Sequence, residues 1–137
     1  MWYNIGMKGY KHNKNVTYSS KYHVVWCCKY RRKVLTPEVQ SRLKNIALDV
    51  CQERGAEAIS LEITPDCVHL LVEIDPQYGI HKLIKQIKGR SSRLLRQEFK
   101  HLTTRLPSLW TNSYFVSAVG CVATSAIRKY VEEQKHI

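Results

Sequence analysis

Two side chains with metal-binding chemistry lie one residue apart in the segment 64–73. The segment begins Thr64-Pro65-Asp66, a turn signal, and then runs into an apolar stretch that predicts a β-strand. Side chains alternate between the two faces of a strand, so Cys67 and His69 share one face while the opposite face is entirely apolar. A thiol and an imidazole on the same face indicate a candidate metal site near the start of this strand.

A second pair, Tyr130 and Gln134, is spaced by four residues near the C-terminus. Residues at i and i+4 lie one turn apart on the same face of a helix. A tyrosine hydroxyl can act as a nucleophile in covalent catalysis. Each of the two pairs, taken alone, is more typical of packing residues than of a catalytic site. The two pairs indicate a particular function only in combination with the fold and the charge of the chain.

The charge predicts a polyanionic partner, nucleic acid before an anionic membrane. The chain carries 22 Lys and Arg residues against 11 Asp and Glu residues, a formal net charge of +11. The basic side chains cluster around Tyr30 and along the second predicted helix, where the solvated face of an amphipathic helix is an equally good explanation. The residues expected to contact DNA phosphates are Lys29, Arg31, Arg32, Lys85, Lys88, Arg90, Arg93 and Arg96.

The size and the cysteine usage set the class of protein. With 137 residues and 44% hydrophobic content, the chain is expected to form one domain with one core. The five cysteines are an odd number at irregular spacings, including the adjacent Cys27 and Cys28, which is a poor disulfide framework and predicts a reducing cytoplasm. No apolar run reaches the ~18 residues of a membrane span, and the N-terminus is too polar for a signal peptide.

The hydrophobic pattern predicts the element order strand, helix, strand, strand, helix, strand. Strands are expected over 17–29, 58–63, 67–73 and 113–119, and helices over 37–54, 80–100 and from 124 to the end. Residues 1–16 show no period and are predicted to be a basic N-terminal arm that orders on DNA, followed by a single domain over 17–137. The predicted class is α+β, a ferredoxin-like (RRM-like) antiparallel sheet with helices on one face and an added C-terminal helix that bears Tyr130.

From about residue 17 to the C-terminus, the sequence resembles the single-tyrosine transposases of the insertion-sequence 200/605 group, within the HUH (His-hydrophobic-His) nuclease superfamily. The resemblance rests on ordered blocks at the family's spacing. These blocks are Tyr22-His23-Val24-Val25-Trp26, 29–33, 65–71, 88–93, 109–115 and 130–134.

The resemblance implies a mechanism. Tyr130 would attack a phosphodiester of single-stranded DNA at the end of an insertion sequence, giving a 5′-phosphotyrosine intermediate and a free 3′-OH. His69 and Gln134, with Cys67 at the third position, would hold a divalent metal, Mg²⁺ or Mn²⁺. The family recognises subterminal DNA hairpins as a homodimer whose active sites each take the tyrosine helix from the other subunit. A cytoplasmic, nucleoid-associated prokaryotic protein is expected.

One position departs from the family's pattern. The first histidine of the His-hydrophobic-His motif falls on Cys67, and a thiolate is a poor ligand for hard Mg²⁺. Three explanations remain open: the element has drifted towards inactivity, the site uses Cys67 with Mn²⁺ or Zn²⁺, or the residue was altered. Activity is therefore expected to be weakened in Mg²⁺.

Two other classes of function compete with the transposase. A catalytically impaired single-stranded nucleic-acid-binding protein of the same fold would explain the charge and the sheet, but it would leave Tyr130 and Gln134 unexplained. A structural zinc protein is disfavoured because no CxxC or HxxxH pairs accompany the scattered cysteines.

Overall fold

A computed structural model of the chain describes residues 10–119 and 124–136, with side chains in the last helical region described for residues 127–135. The strands are β1 (Lys11–His12), β2 (Thr17–Tyr18), β3 (Lys21–Cys27), β4 (Glu57–Ile63), β5 (Cys67–Glu73) and β6 (Phe115–Ala118). The helices are α1 (Pro37–Glu53), α2 (Ile80–Glu98), the short α3 (His101–Thr104) and α4 (Thr124–Glu133), with 3₁₀ turns at Lys29–Arg31 and Gln134–His136.

The central sheet has four antiparallel strands in the order β4-β5-β3-β6. The core cluster joins one face of this sheet to the apolar sides of α1 and α2. This strand order with two helices on one face confirms the predicted ferredoxin-like α+β fold. The opposite face of the sheet, called the open face below, does not carry α1 or α2.

Helix α1 begins and ends where its local signals predict. The Thr36 hydroxyl accepts a hydrogen bond from the Val39 backbone N–H at 3.4 Å, and Pro37 occupies the first helical position. Past its end, Gly55 has φ +68°, a left-handed conformation that glycine adopts without steric cost. The side chains that this helix buries recur at helical spacing: Val39, Leu43, Ile46, Ala47, Val50 and Cys51.

Strand β5 divides its side chains between the two faces as the alternation predicts. Val68, Leu70 and Val72 belong to the core cluster beneath the helices. Cys67 and His69 therefore lie on the open face. The preceding turn is closed by hydrogen bonds between Thr64 and Cys67, which make β4 and β5 the predicted hairpin.

Helix α2 runs without a break through Gly89 and the two serines that follow it. Ser91 is fully buried there, and its hydroxyl accepts a hydrogen bond from the indole N–H of Trp110 at 3.1 Å. The Trp110 ring also packs edge-on against Trp26 of β3, with ring centroids 6.1 Å apart. These contacts fix the loop between α3 and β6 against α2.

The predicted strand over 17–29 is two strands, because β2 pairs with β1 whereas β3 pairs with β5 and β6. The part of the predicted arm that the structure describes lies against the edge of the sheet. Its Lys11 side chain forms an ion pair with Glu57 at 2.7 Å and lies 3.7 Å from the buried Glu73. Residues 1–9 of that predicted arm lie outside the described residues.

Helix α4 carries Tyr130, and the 3₁₀ turn Gln134–His136 continues it. The break that Gly120 predicts before this helix lies outside the described residues. Among the residues that the structure describes, no helix is both long enough and apolar enough to cross a lipid bilayer.

Candidate active site

The Tyr130 side chain is half-buried between α4 and the end of the sheet. Its hydroxyl lies 2.9 Å from the Ser113 hydroxyl, and its ring centroid is 5.7 Å from that of Phe115 on β6. Burial raises the pKa of the Tyr130 phenol above its ordinary value, and the hydrogen bond with Ser113 opposes this rise. The phenol is therefore protonated at neutral pH and held in a fixed position.

Gln134 lies one turn beyond Tyr130 and is buried. Its amide N–H donates to the Tyr130 carbonyl at 3.1 Å, and its amide oxygen accepts a long hydrogen bond of 3.4 Å from Ser113. The Ser113 hydroxyl thus contacts both members of the predicted pair. Sequence reasoning did not single out Ser113, although it lies in the 109–115 block on which the family resemblance rests.

His69 lies on the open face in the middle of β5, where it pairs with Val25 of β3 and Glu62 of β4. Burial lowers the pKa of the imidazole and the nearby Glu62 carboxylate partly offsets this, so His69 is neutral at pH 7 with a nitrogen lone pair available. Together with His23 and Ile127 of α4, it lines a hollow of about 240 Å³. The register of β3 against β5 brings His23 into the hollow with His69.

Cys67 requires a correction. It faces Cys27 across β3 and β5 with the two Cα atoms 4.0 Å apart, and the structure joins the two residues in a disulfide. A disulfide sulfur is not a thiolate, so Cys67 can ligate a metal only when this bond is reduced, and its role as a ligand stays a prediction. The expectation that the cysteines form no disulfide framework is wrong for the same pair, because strand register and not sequence spacing brings them together.

The candidate metal ligands of the described part of the chain come from two elements, His69 from β5 and Gln134 from the turn that continues α4. Cys67 is bonded to Cys27, and His69 makes no hydrogen bond there to Tyr130 or Gln134. No group of three or more His, Cys, Asp or Glu side chains in the described residues is arranged to hold a metal ion. The donors with suitable chemistry are the neutral imidazole of His69 and the amide oxygen of Gln134.

Comparison with known proteins decides the family. A family model described as "Transposase IS200 like" matches residues 16–134. The chain belongs to the IS200-like transposases. The ISDra2 transposase TnpA of Deinococcus radiodurans is 37% identical to it over 126 residues, which cover 90% of each protein. The transposase of the insertion sequence IS200 from Salmonella typhimurium is 29% identical over 119 residues, 85% of this chain and 78% of its own length.

Solved structures agree with this assignment. A transposase crystal structure from Deinococcus radiodurans has a TM-score of 0.83 at 37% identity and covers 90% of this chain and 97% of its own. A REP-associated tyrosine transposase bound to a REP hairpin has a TM-score of 0.55 at 15% identity, covering 89% of this chain and 68% of its own, and shares the fold. The predicted family is confirmed, and with it the transposase function in general terms.

In this IS200-like transposase, Arg31 of the basic loop after β3 is engaged within the fold. Its guanidinium donates to the Asp66 carboxylate at 2.8 Å, to the Glu132 carboxylate at 3.2 Å and to the Val131 carbonyl at 3.5 Å. The hydrogen bond with Asp66 is the main cause that raises the Arg31 pKa. Arg31 therefore ties the loop to the last turn of the tyrosine helix α4.

The two neighbouring basic residues differ from Arg31. Lys29 lies with its ammonium 5.2 Å from the centroid of the Tyr30 ring, and Arg32 is exposed. Tyr30 and Arg31 have φ of +57° and +54°, a left-handed backbone that side-chain-bearing residues seldom adopt. The strained pair turns the loop sharply, and Tyr30 is 45% exposed beside the basic side chains.

Of the predicted DNA-contacting residues of α2, some make contacts within the fold and others are exposed. Arg90 makes a two-pronged ion pair with Glu53 of α1 at 2.7 and 2.9 Å, and Arg96 donates to the Leu106 carbonyl at 3.4 Å. Lys85 and Arg93 are exposed. Lys88 is half-buried, and its ammonium donates to two backbone carbonyls of the loop that precedes β6.

Proposed function

We propose that this transposase cleaves and rejoins single-stranded DNA at insertion-sequence ends through a 5′-phosphotyrosine intermediate on Tyr130, and that it recognises subterminal DNA hairpins. One observation carries the proposal. The Tyr130 hydroxyl is fixed by Ser113 on a helix whose Ile127 lies against the His69 hollow of the open face. A nucleophile and a neutral imidazole are therefore carried by two neighbouring elements, α4 and β5.

The chemical step follows from the state of the phenol. The Tyr130 oxygen attacks the scissile phosphorus and the bond from phosphorus to the 3′ oxygen breaks, which leaves a free 3′-OH and a protein-linked 5′ phosphate. Because burial raises the Tyr130 pKa, the phenol carries its proton at neutral pH and must lose it for the oxygen–phosphorus bond to form. Ser113 orients the hydroxyl at 2.9 Å, and attack by another 3′-OH on the tyrosyl phosphate rejoins the DNA.

We propose Mg²⁺ or Mn²⁺ as the cofactor, held by His69 and Gln134. The imidazole is neutral, and the amide oxygen of Gln134 accepts only a long hydrogen bond from Ser113, which a bond to the metal ion would replace. Cys67 does not fit as a third ligand while it is bonded to Cys27. A bound cation would polarise the non-bridging oxygens of the scissile phosphate.

We further propose that two copies share their active sites, as the resemblance to the single-tyrosine transposases implies. Tyr130→Phe and His69→Ala proteins should each be inactive alone. A mixture that forms hybrid dimers should cleave at one site, where one copy supplies His69 and the other supplies Tyr130. Inactive hybrid dimers would rule out the shared arrangement.

The decisive experiment is adduct formation. The protein is incubated with Mn²⁺ and a pool of single-stranded oligonucleotides that carry a hairpin, a randomised flank and a 3′ fluorophore. Cleavage should place the labelled fragment on the protein, and the product should survive a denaturing gel. Tyr130→Phe should abolish this band, whereas Tyr78→Phe, a change in a different hollow beside Lys82, should keep it.

A binding protein without cleavage activity is the second candidate, and the bonded state of Cys67 favours it. The same assay separates the two functions. A binding protein shifts the oligonucleotide on a native gel but gives no band on the denaturing gel in Mg²⁺ or Mn²⁺. Cys67→His tests whether this position limits activity, since it places a second imidazole on the face that carries His69.

A further inference from the structure

A groove of about 410 Å³ lies between α2 and the loop before β6. This volume is within the range of roughly 300–1,000 Å³ found for small-ligand clefts. The side chains that bear on its chemistry are His81, Lys85, Lys88, Ser92, Asn112 and Tyr114. The groove combines cations, hydrogen-bonding groups and aromatic rings.

Lys88 is the best-placed cation of the groove. Its ammonium donates to the carbonyls of Thr111 at 2.8 Å and Ser113 at 3.0 Å, and it forms no ion pair with a carboxylate of the described residues. Burial lowers the Lys88 pKa to about 8, so the side chain is still mostly charged at pH 7. An ammonium without an acidic neighbour, at the wall of a groove, favours an anionic ligand.

The aromatic rings of the groove are fixed. The hydroxyl of Tyr114 lies 2.7 Å from Nδ1 of His81, and the two rings are nearly parallel with centroids 5.9 Å apart. The Lys88 ammonium is 5.9 Å from the centroid of the Tyr114 ring. An aromatic ring beside a cation is the arrangement with which proteins hold single-stranded nucleic acid, by base stacking and phosphate contact.

We propose that this groove is a nucleotide subsite for single-stranded DNA, in which Tyr114 stacks against a base and Lys88, with Lys85, contacts a phosphate. The subsite deepens the proposed function and rests on it. It also couples to the nucleophile, because Lys88 binds the Ser113 carbonyl while the Ser113 hydroxyl contacts Tyr130. A strand in the groove therefore bears on the same short segment that positions the Tyr130 hydroxyl.

Photocrosslinking locates the strand directly. The full chain is irradiated with a fluorescent single-stranded oligonucleotide that contains 5-iodouracil at scanned positions, and the modified peptide is identified by mass spectrometry. The crosslink should map to Tyr114 or His81 for a small window of positions. Crosslinks confined to other parts of the protein, or no binding of the oligonucleotide, would overturn the subsite.

Variants give the second measurement, the Kd for the same oligonucleotide. Tyr114→Leu keeps bulk without an aromatic ring and should weaken binding on the order of 10-fold, whereas Tyr114→Phe keeps the ring and should stay within about 2-fold. Lys82→Met is the control outside the groove and should leave the Kd unchanged. Lys82 is on α2, as Lys85 and Lys88 are, but it lines a different hollow beside Tyr78. Thermal unfolding of each variant confirms folding. Equal Kd values for Tyr114→Leu and wild type would refute the stacking.

The two proposals fail separately. If crosslinks map elsewhere while the Tyr130 adduct forms, the subsite is wrong and the cleavage mechanism stands. If Tyr114 crosslinks and no adduct forms in Mg²⁺ or Mn²⁺, the subsite is correct and belongs to a protein that binds DNA without cleaving it.

Discussion

Replacement of Arg31 by Ala should loosen the tyrosine helix without reducing the charge that contacts DNA. Arg31 and Asp66 are 21% and 12% exposed at their side chains, and their 2.8 Å hydrogen bond is charge-assisted. Such a bond contributes roughly 1.5–3 kcal/mol, and its loss leaves the Asp66 carboxylate without its guanidinium partner. We therefore expect Arg31→Ala to lower the free energy of unfolding by about 2 kcal/mol.

Arg32→Ala is the matched control, because Arg32 is the adjacent basic residue and is exposed. Its stability change should stay within about 0.5 kcal/mol in urea unfolding. The salt dependence of single-stranded DNA binding should respond in the opposite way. Arg32→Ala should reduce the slope of log K against log salt by about 0.7, the value for one phosphate contact on a single strand, while Arg31→Ala leaves the slope unchanged.

Hydrogen exchange adds a local readout for Arg31→Ala. Amides of α4 should exchange faster than in wild type, since the Val131 carbonyl and the Glu132 carboxylate lose their donor. If Arg31→Ala is as stable as Arg32→Ala and α4 exchanges at the wild-type rate, the reasoning from these contacts is refuted.

Three further outcomes follow from buried groups. Ser91→Ala should lower the free energy of urea unfolding by about 1–3 kcal/mol because a buried indole N–H loses its acceptor, and equal stability of the Ser92→Ala control would contradict this. Between pH 8 and 10.5, Lys88 is neutral in the native protein and charged in the unfolded chain, so the free energy of unfolding rises with pH in this range. Lys88→Met should make this rise smaller when the free energy of unfolding is measured by denaturation at several pH values. In the unfolded protein without reductant, iodoacetamide should modify all cysteines except the two in the bridge between β3 and β5, and mass spectrometry showing all five modified would exclude the bridge.

Local signals in the sequence were sufficient for most of the fold. The cap at Thr36 and the stop at Gly55 bound α1 because helix ends depend on the conformational preferences of the residues at them. The alternation in 67–73 separated a core face from an open face because a strand has a period of two. Where the strand over 17–29 was predicted as one element, the structure has two, because the change of partner strand has no local signal.

What the sequence by itself determined is the order of the elements, the faces they bury and the shared face of Tyr130 and Gln134, all of which depend on neighbours within a few positions. Only the tertiary structure decided which distant groups meet. The register of β3 against β5 placed Cys27 on Cys67, 40 residues away, and His23 in the hollow with His69. Such pairings depend on register and loop paths, which nothing within one strand or helix specifies.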